Sequence, residues 1–156
     1  MTFDDFLMEV DPKYHWFVLE IHECLLKKDC KLKITSAKNG YLASYQFGKK
    51  KRVILNFVFR KSGLIARIYC GHASDYEDYL GTLPEDIKSI IKNAPSCKRF
   101  EDPPKCAPTC IGYVFKLDNT THQKCKYYCF LIEVSDESIP VIRTLLEKEL
   151  ACRERE

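Results

Sequence analysis

A chain of 156 residues is long enough for one sizeable core, and its 46% apolar and 30% charged content excludes a disordered polymer. The net charge of +3 is too small to demand a nucleic-acid partner, and none is expected. No apolar run approaches the roughly 18 residues of a membrane span, and Met1-Thr2-Phe3-Asp4-Asp5 lacks the basic-then-apolar order of a signal peptide. The expectation is therefore a cytoplasmic chain with no membrane partner and with reduced thiols, in keeping with an odd count of nine cysteines.

The elements follow in chain order. A short amphipathic piece is expected over 3–8. A helix is expected over 11–28, with Asp11 as N-cap, Pro12 at the first position, and Tyr14, Phe17, Val18, Ile21 and Leu25 at helical spacing. The period then changes to two, over 31–35, over Tyr41, Ala43, Tyr45 and Phe47, over Val53, Leu55, Phe57 and Phe59, and over Leu64, Ala66, Ile68 and Cys70. Short turn-like links at Asn39-Gly40, 48–51 and 60–63 make these four strands an antiparallel meander.

Helical signals return after Gly71. Ser74 with Glu77, and Thr82 with Glu85, have capping-box spacing, and Ile87, Ile90 and Ile91 form a stripe ending near Ala94-Pro95. Pro95, Pro103, Pro104 and Pro108 then interrupt regular structure. Strands are expected over 111–117 and 127–134, with a turn at Asp118-Asn119-Thr120 between them. A last helix starts near Ser135 or Ser138 and runs to about Cys152, with Ile139, Ile142, Leu145, Leu146 and Leu150 as its stripe. The sum is a single α+β domain over 1–156. Its predominantly antiparallel sheet, the four-strand meander plus one or two later strands, packs against helices on one side.

Five cysteines fall between Cys97 and Cys129, as Cys97-x8-Cys106-x3-Cys110-x14-Cys125-x3-Cys129. Clustered thiols in a loop-rich segment are suited to one tetrahedral zinc, with sulfurs about 2.3 Å from the ion. The symmetric choice pairs Cys106/Cys110 with Cys125/Cys129. If 126–134 is a strand, Cys125 and Cys129 stand about 13 Å apart and cannot share an ion. The preferred ligands are therefore Cys97, Cys106, Cys110 and Cys125 in a segment 96–126, with Cys129 in the core and His122 in reserve. Four thiolates leave no open position, so this zinc would be structural.

The segments Tyr41-x-x-Ser44-Tyr45, Asn56-Phe-Val-Phe-Arg-Lys-x-Gly-Leu-Ile, Cys97-Lys-Arg and Gln123-Lys-Cys125 resemble a group of small uncharacterised proteins from clostridia-like bacteria. The resemblance implies a bacterial protein with thiols at Cys97, Cys106, Cys110 and Cys125, and often none at the position of Cys129. It implies no activity.

Other features have plain readings beside functional ones. The basic run Lys49-Lys50-Lys51-Arg52 fits a hairpin that touches phosphates, or a solvated turn that guards a sheet edge. His15 and His22 share a helix face but lie about 10 Å apart, too far for one metal. Cys70-Gly71-His72 brings a thiol near an imidazole, with Asp75 the nearest carboxylate in sequence. Asp75, Glu77 and Asp78 suit the start of a helix. Nucleotide, acyl-transfer and zinc-protease motifs are missing. The leading reading is a non-catalytic module that binds a small molecule or protein partner, with Tyr41, Tyr45 and Tyr69 as ligand-contact candidates on aromatic strands. The alternatives are a thiol enzyme using Cys70 and His72 or a free cluster cysteine, and a nucleic-acid binder using the 49–52 hairpin.

Overall fold

The computed structural model describes residues 1–98, 101–106, 110 and 112–156. The expectations placed on Pro108 and Ile111 lie outside them. The chain divides into two compact units: Met1–Ile68 with Ile132–Glu147, and Tyr69–Leu131 with Lys148–Glu156. Among the described residues there are five α-helices and seven strands, in the α+β pattern with a predominantly antiparallel main sheet.

The first unit opens with α1 (Phe3–Glu9), closed at its start by a reciprocal Thr2–Asp5 capping box. A 3-10 turn (Pro12–Tyr14) follows, where Asp11 Oδ1 accepts from Lys13 N at 3.0 Å, and it runs into α2 (His15–Lys27). The meander is β1 (Cys30–Ala37), β2 (Gly40–Phe47), β3 (Arg52–Arg60) and β4 (Gly63–Ile68), each antiparallel to the next. A bulge at Tyr45/Gln46 shifts the β2–β3 register. Sheet order is β1-β2-β3-β4, then the later strand β7 (Leu131–Glu133) beside β4.

In β3 and β4 both faces are covered, with Ile54, Val58 and Ile65 buried opposite Leu55, Phe57 and Ala66. Ala43, Tyr45, Leu55, Phe57, Ala66 and Ile68 share one face and are buried. The α1 residue Phe6, fully buried, sets its ring 6.0 Å from Phe57 and 5.6 Å from Phe59. From α2, His22 stacks on Phe3 at 3.8 Å and reaches Tyr45 Oη at 2.9 Å. Gly40, at φ +117°, lies under Phe59, whose ring carbon would stand 3.2 Å from any added Cβ. The two-residue turn therefore needs glycine there both for its backbone angle and for space. The helix α5 (Ile139–Glu154) starts at Ser135 and Ser138, whose hydroxyls accept from each other's N–H at 3.1 and 2.9 Å.

The second unit has a 3-10 turn (Ala73–Tyr76), the short α3 (Glu77–Leu80), α4 (Glu85–Asn93), and a hairpin of β5 (Tyr113–Leu117) and β6 (Thr120–Lys124). Two residues with positive φ, Asp118 (51°) and Asn119 (66°), make its turn. The last residues of α5, from Lys148 on, belong to this unit.

Three expectations are corrected. Neither Ser74 nor Thr82 caps a helix: α4 starts at Pro84 without a side-chain cap, and the Thr82 hydroxyl donates to Tyr79 O at 2.7 Å instead. The segment 127–134 is a strand only over Leu131–Glu133, because 126–130 is a turn. Thr120, expected in the turn, opens β6, and 121–124, given no element from the sequence, continue it.

Phe6→Ala is expected to cost about 3–5 kcal/mol of stability, because it empties a fully buried aromatic site. Met8→Ala, at a position 80% exposed, should stay within about 0.5 kcal/mol. Urea unfolding of both variants checks the contrast.

Candidate metal centre and a buried carboxylate

The cysteine segment lies in the second unit. Its frame is an isolated antiparallel bridge, Ser96 with Lys124, that extends the β5–β6 hairpin. Cys97 N donates to Gln123 O at 3.2 Å, and Cys125 N donates to Pro95 O at 2.9 Å. In such a ladder Cys97 and Cys125 are diagonal neighbours on one face, with Cα atoms about 7–8 Å apart. The Cys97 thiol points towards Cys110, whose carbonyl oxygen is 4.0 Å from Sγ. Lys98 O accepts from Glu101 N at 3.2 Å and from Lys105 N at 3.1 Å, so the chain returns beside Cys97 just before Cys106. Cys97 is buried, Cys110 and Cys125 are half-buried, and Cys106 is exposed. Among the described residues, no group of three or more His, Cys, Asp or Glu side chains is arranged to hold a metal ion.

Two arguments about the remaining candidates change. Cys125 and Cys129 are not separated by a strand. Tyr128 N and Cys129 N both donate to Cys125 O, at 3.2 and 3.1 Å, so the chain makes one helical turn there. What keeps Cys129 from being a ready ligand is burial, which pushes its thiol well above the ordinary range. His122 sits on the face of β6 that meets Phe115, its centroid 5.9 Å from that ring, whereas Cys125 lies on the other face by alternation.

The hairpin is anchored by charge. Asp118 accepts from Lys88 Nζ at 3.0 Å and Lys92 Nζ at 2.8 Å, and its carboxyl is held below the usual range by Lys92 first and then Lys88. Lys124 Nζ donates to Lys92 O and Ala94 O at 2.8 and 2.9 Å, which satisfies the end of α4. Glu77 Oε2 accepts from Lys116 N at 2.5 Å. The Asp118 and Lys124 bonds fix the hairpin whose second strand leads into Cys125 against the helix that leads to Cys97.

The proposed thiol–imidazole pair has different surroundings from those expected. Cys70 is fully buried, and desolvation pushes its thiol well up. His72 is engaged by carboxylates at both ring nitrogens: Nδ1 is 2.8 Å from Glu149 Oε2, and Nε2 is 2.5 Å from Glu156 Oε1. Burial alone would lower the His72 pKa, but Glu149 and then Glu156 outweigh it and raise the value above 6.5. An imidazolium held this way has no free lone pair to deprotonate a thiol.

Glu149 itself is fully buried. It accepts from His72 N at 2.9 Å, Tyr76 Oη at 2.9 Å and Arg153 Nε at 2.8 Å, in addition to the imidazole. The Arg153 guanidinium also donates to Tyr69 O at 2.9 Å. Asp75, the carboxylate nearest in sequence, takes no part in these bonds. Glu149 and Arg153 were missed because they lie 77 and more residues from His72. One signal was present: both continue the apolar stripe of α5, at three and seven residues beyond Leu146.

Tyr45 is fully buried and bonded to His22. Tyr41 is half-buried on the first unit's hairpin, and Tyr69 meets Tyr127 edge-on at 6.2 Å in the second. Two open cavities of the second unit flank α3. One, of about 400 Å³, is lined by Asp75, Glu77, Asp78, Tyr79 and Lys148; the other, of about 490 Å³, by Glu77, Asp78, Thr82, Lys116 and Asp118.

Comparison with protein families, curated proteins and solved structures finds no match to this chain. No helix among the described residues is long and apolar enough to cross a membrane.

The raised pKa of His72 gives a signed expectation. Its contribution to stability is complete below the unfolded value near 6.5 and is lost as pH rises through the folded value. His22 and His122, both lowered first by burial, act in the opposite sense and weaken the fold as pH falls. The difference in stability between wild type and His72→Gln should therefore be largest below about pH 6.5 and shrink above it. Urea unfolding from pH 5 to 9 measures it. Glu149→Ala should cost about 3–5 kcal/mol near neutral pH, since it takes the acceptor from the buried Arg153 Nε and Tyr76 hydroxyl donors, and should flatten the His72-linked pH dependence.

Proposed function

We propose that this chain is a non-catalytic module of the bacterial cytoplasm, braced in its second unit by one structural zinc on Cys97, Cys106, Cys110 and Cys125, and that it binds a small molecule or a protein partner. The observation that carries the zinc reading is the pair of main-chain bonds flanking the Ser96–Lys124 bridge, which make Cys97 and Cys125 diagonal neighbours. Those two thiols supply the half of the site that is tied to regular structure. Binding would draw Cys106 and Cys110 onto them, from a segment already returned beside Lys98 and Cys97. Four thiolates fill a tetrahedral ion, so the metal would stabilise and would not activate water. The non-catalytic reading is supported by His72, whose two nitrogens are occupied by carboxylates, and by the burial of Cys70. Binding is supported by the open cavities beside α3 more than by the tyrosines, of which Tyr45 is core.

Metal analysis of protein produced with zinc in the medium should find about one zinc per chain. Chelation should lower the thermal midpoint and speed hydrogen exchange over 96–126. Cys110→Ser should reduce metal content, and Cys129→Ala should leave it intact. Equal loss in both variants would assign the symmetric ligand set, which the helical turn at Cys125 makes geometrically open. Protein that takes up no zinc under these conditions would rule the site out.

A further inference from the structure

The densest grouping of like charge is in the first unit, apart in sequence from the Cys97–Cys129 cluster. Gly48 N donates to Asp29 O at 3.4 Å, which sets the α2–β1 turn beside the β2–β3 turn at one end of the sheet. Segments 27–33 and 48–52 thereby meet. They contain eight cations, Lys27, Lys28, Lys31, Lys33, Lys49, Lys50, Lys51 and Arg52, and one carboxylate, Asp29. That is a local balance of +7 in a chain whose total is +3, so all other residues together carry −4. All eight cations are exposed.

Register extends this basic end along the sheet. Lys31 pairs with Gln46 and Lys33 with Ser44, on the face opposite Tyr45 and Phe57. The two lysines stand about 6.6 Å apart along β1 and point the same way. Thr35, Ser44 and Gln46 lie half-buried on that same face. Lysines at a strand edge also discourage edge pairing, which Lys31 and Lys33 achieve alone. That role does not account for three lysines and an arginine in the adjoining turn.

We propose that this basic end of the first unit, built from the α2–β1 turn, the β2–β3 turn and the outer face of β1, binds the phosphate backbone of duplex nucleic acid without reading sequence. Lysine ammoniums with neighbouring hydroxyl and amide groups are the usual donors to phosphate and sugar. The outer faces of β1 and β2 carry no aromatic side chain, and Phe47 beside the turn is half-buried on the opposite face, so this surface offers an unpaired base no exposed ring, and single-strand binding depends on such stacking. The turn tip, Gly48 to Lys51, carries no apolar side chain to enter a lipid interface. This binding stands apart from the zinc reading and requires none of the cluster cysteines.

The test uses the full chain and a fluorescent 20-base-pair duplex, with the single strand of one sequence and phosphatidylserine vesicles as comparison probes. Expected is a duplex Kd of roughly 10⁻⁶–10⁻⁴ M near physiological salt, similar for two unrelated sequences and falling steeply with salt. Lys49→Gln/Lys50→Gln/Lys51→Gln should weaken binding at least about tenfold at low salt and reduce the log–log salt slope by about 2–3. Lys31→Gln/Lys33→Gln should reduce the slope by about 2. Lys38→Gln/Lys61→Gln removes the same charge at the other end of the strands and should change affinity by less than about twofold. The proposal is overturned if wild type shows no salt-dependent duplex binding, if the 38/61 variant weakens it as much as the 31/33 variant, or if the single strand or the vesicles bind more tightly than the duplex.

Discussion

A carboxylate with no exposed surface constrains the second unit more than any other single group. Removing an ionised carboxylate from water costs several kcal/mol even after relaxation, and the cost is offset only where every oxygen lone pair finds a donor. Glu149 has four: an imidazole, a backbone N–H, a phenol and a guanidinium. Three of them come from the segment between Tyr69 and Tyr76, which follows the main sheet. That segment cannot move from the last turns of α5 without stranding a buried charge. The same requirement places Arg153, which ties down Tyr69 O as well. An apolar residue at Glu149 could pack as well as the acid, but it would leave the position of His72 and Tyr76 undetermined.

The main sheet was legible because its signal is local. Period-two runs at Tyr41, Val53 and Leu64, separated by Gly-containing links, leave little choice but an antiparallel meander, and the strands occur there. The helices carrying the stripes Phe17 to Leu25 and Ile87 to Ile91 were legible for the same reason. Errors arose where a short motif competed with tertiary context. Thr82 has capping-box spacing to Glu85, yet Pro84 takes the N-cap position of α4 and the hydroxyl turns back to Tyr79 O. The apolar run Tyr127-Tyr128-Cys129-Phe130 reads as a strand but is a turn. Its buried members Cys129 and Phe130 are consecutive, and a short apolar run does not by periodicity distinguish a turn or helical segment from a strand.

The cysteine segment shows the same division. Burial of Cys129 followed from composition, while the reason first given for excluding it, a strand separation, does not hold. The bridge that pairs Ser96 with Lys124 was invisible in sequence, because β6 is a polar strand, Thr-Thr-His-Gln-Lys, with no alternation to mark it. It exists because Asp118, Lys88 and Lys124 fasten the hairpin to α4. Charged side chains thus do here what apolar stripes do in the first unit.

The burial of thiols in both units also gives each a chemical clock. Cys30 is buried in the first unit, and Cys70 and Cys129 in the second, whereas Cys24 and Cys106 are exposed. A water-soluble alkylating reagent meets Cys24 at once, Cys106 as well when it holds no metal, and the buried thiols only when the surrounding structure opens. Their labelling rates therefore report opening free energies, which range from near zero for fraying segments to the full stability of the core. Equal protection of Cys30 and Cys70 would mark one cooperative transition. Unequal protection would mark two, and no foreign probe is needed to tell them apart.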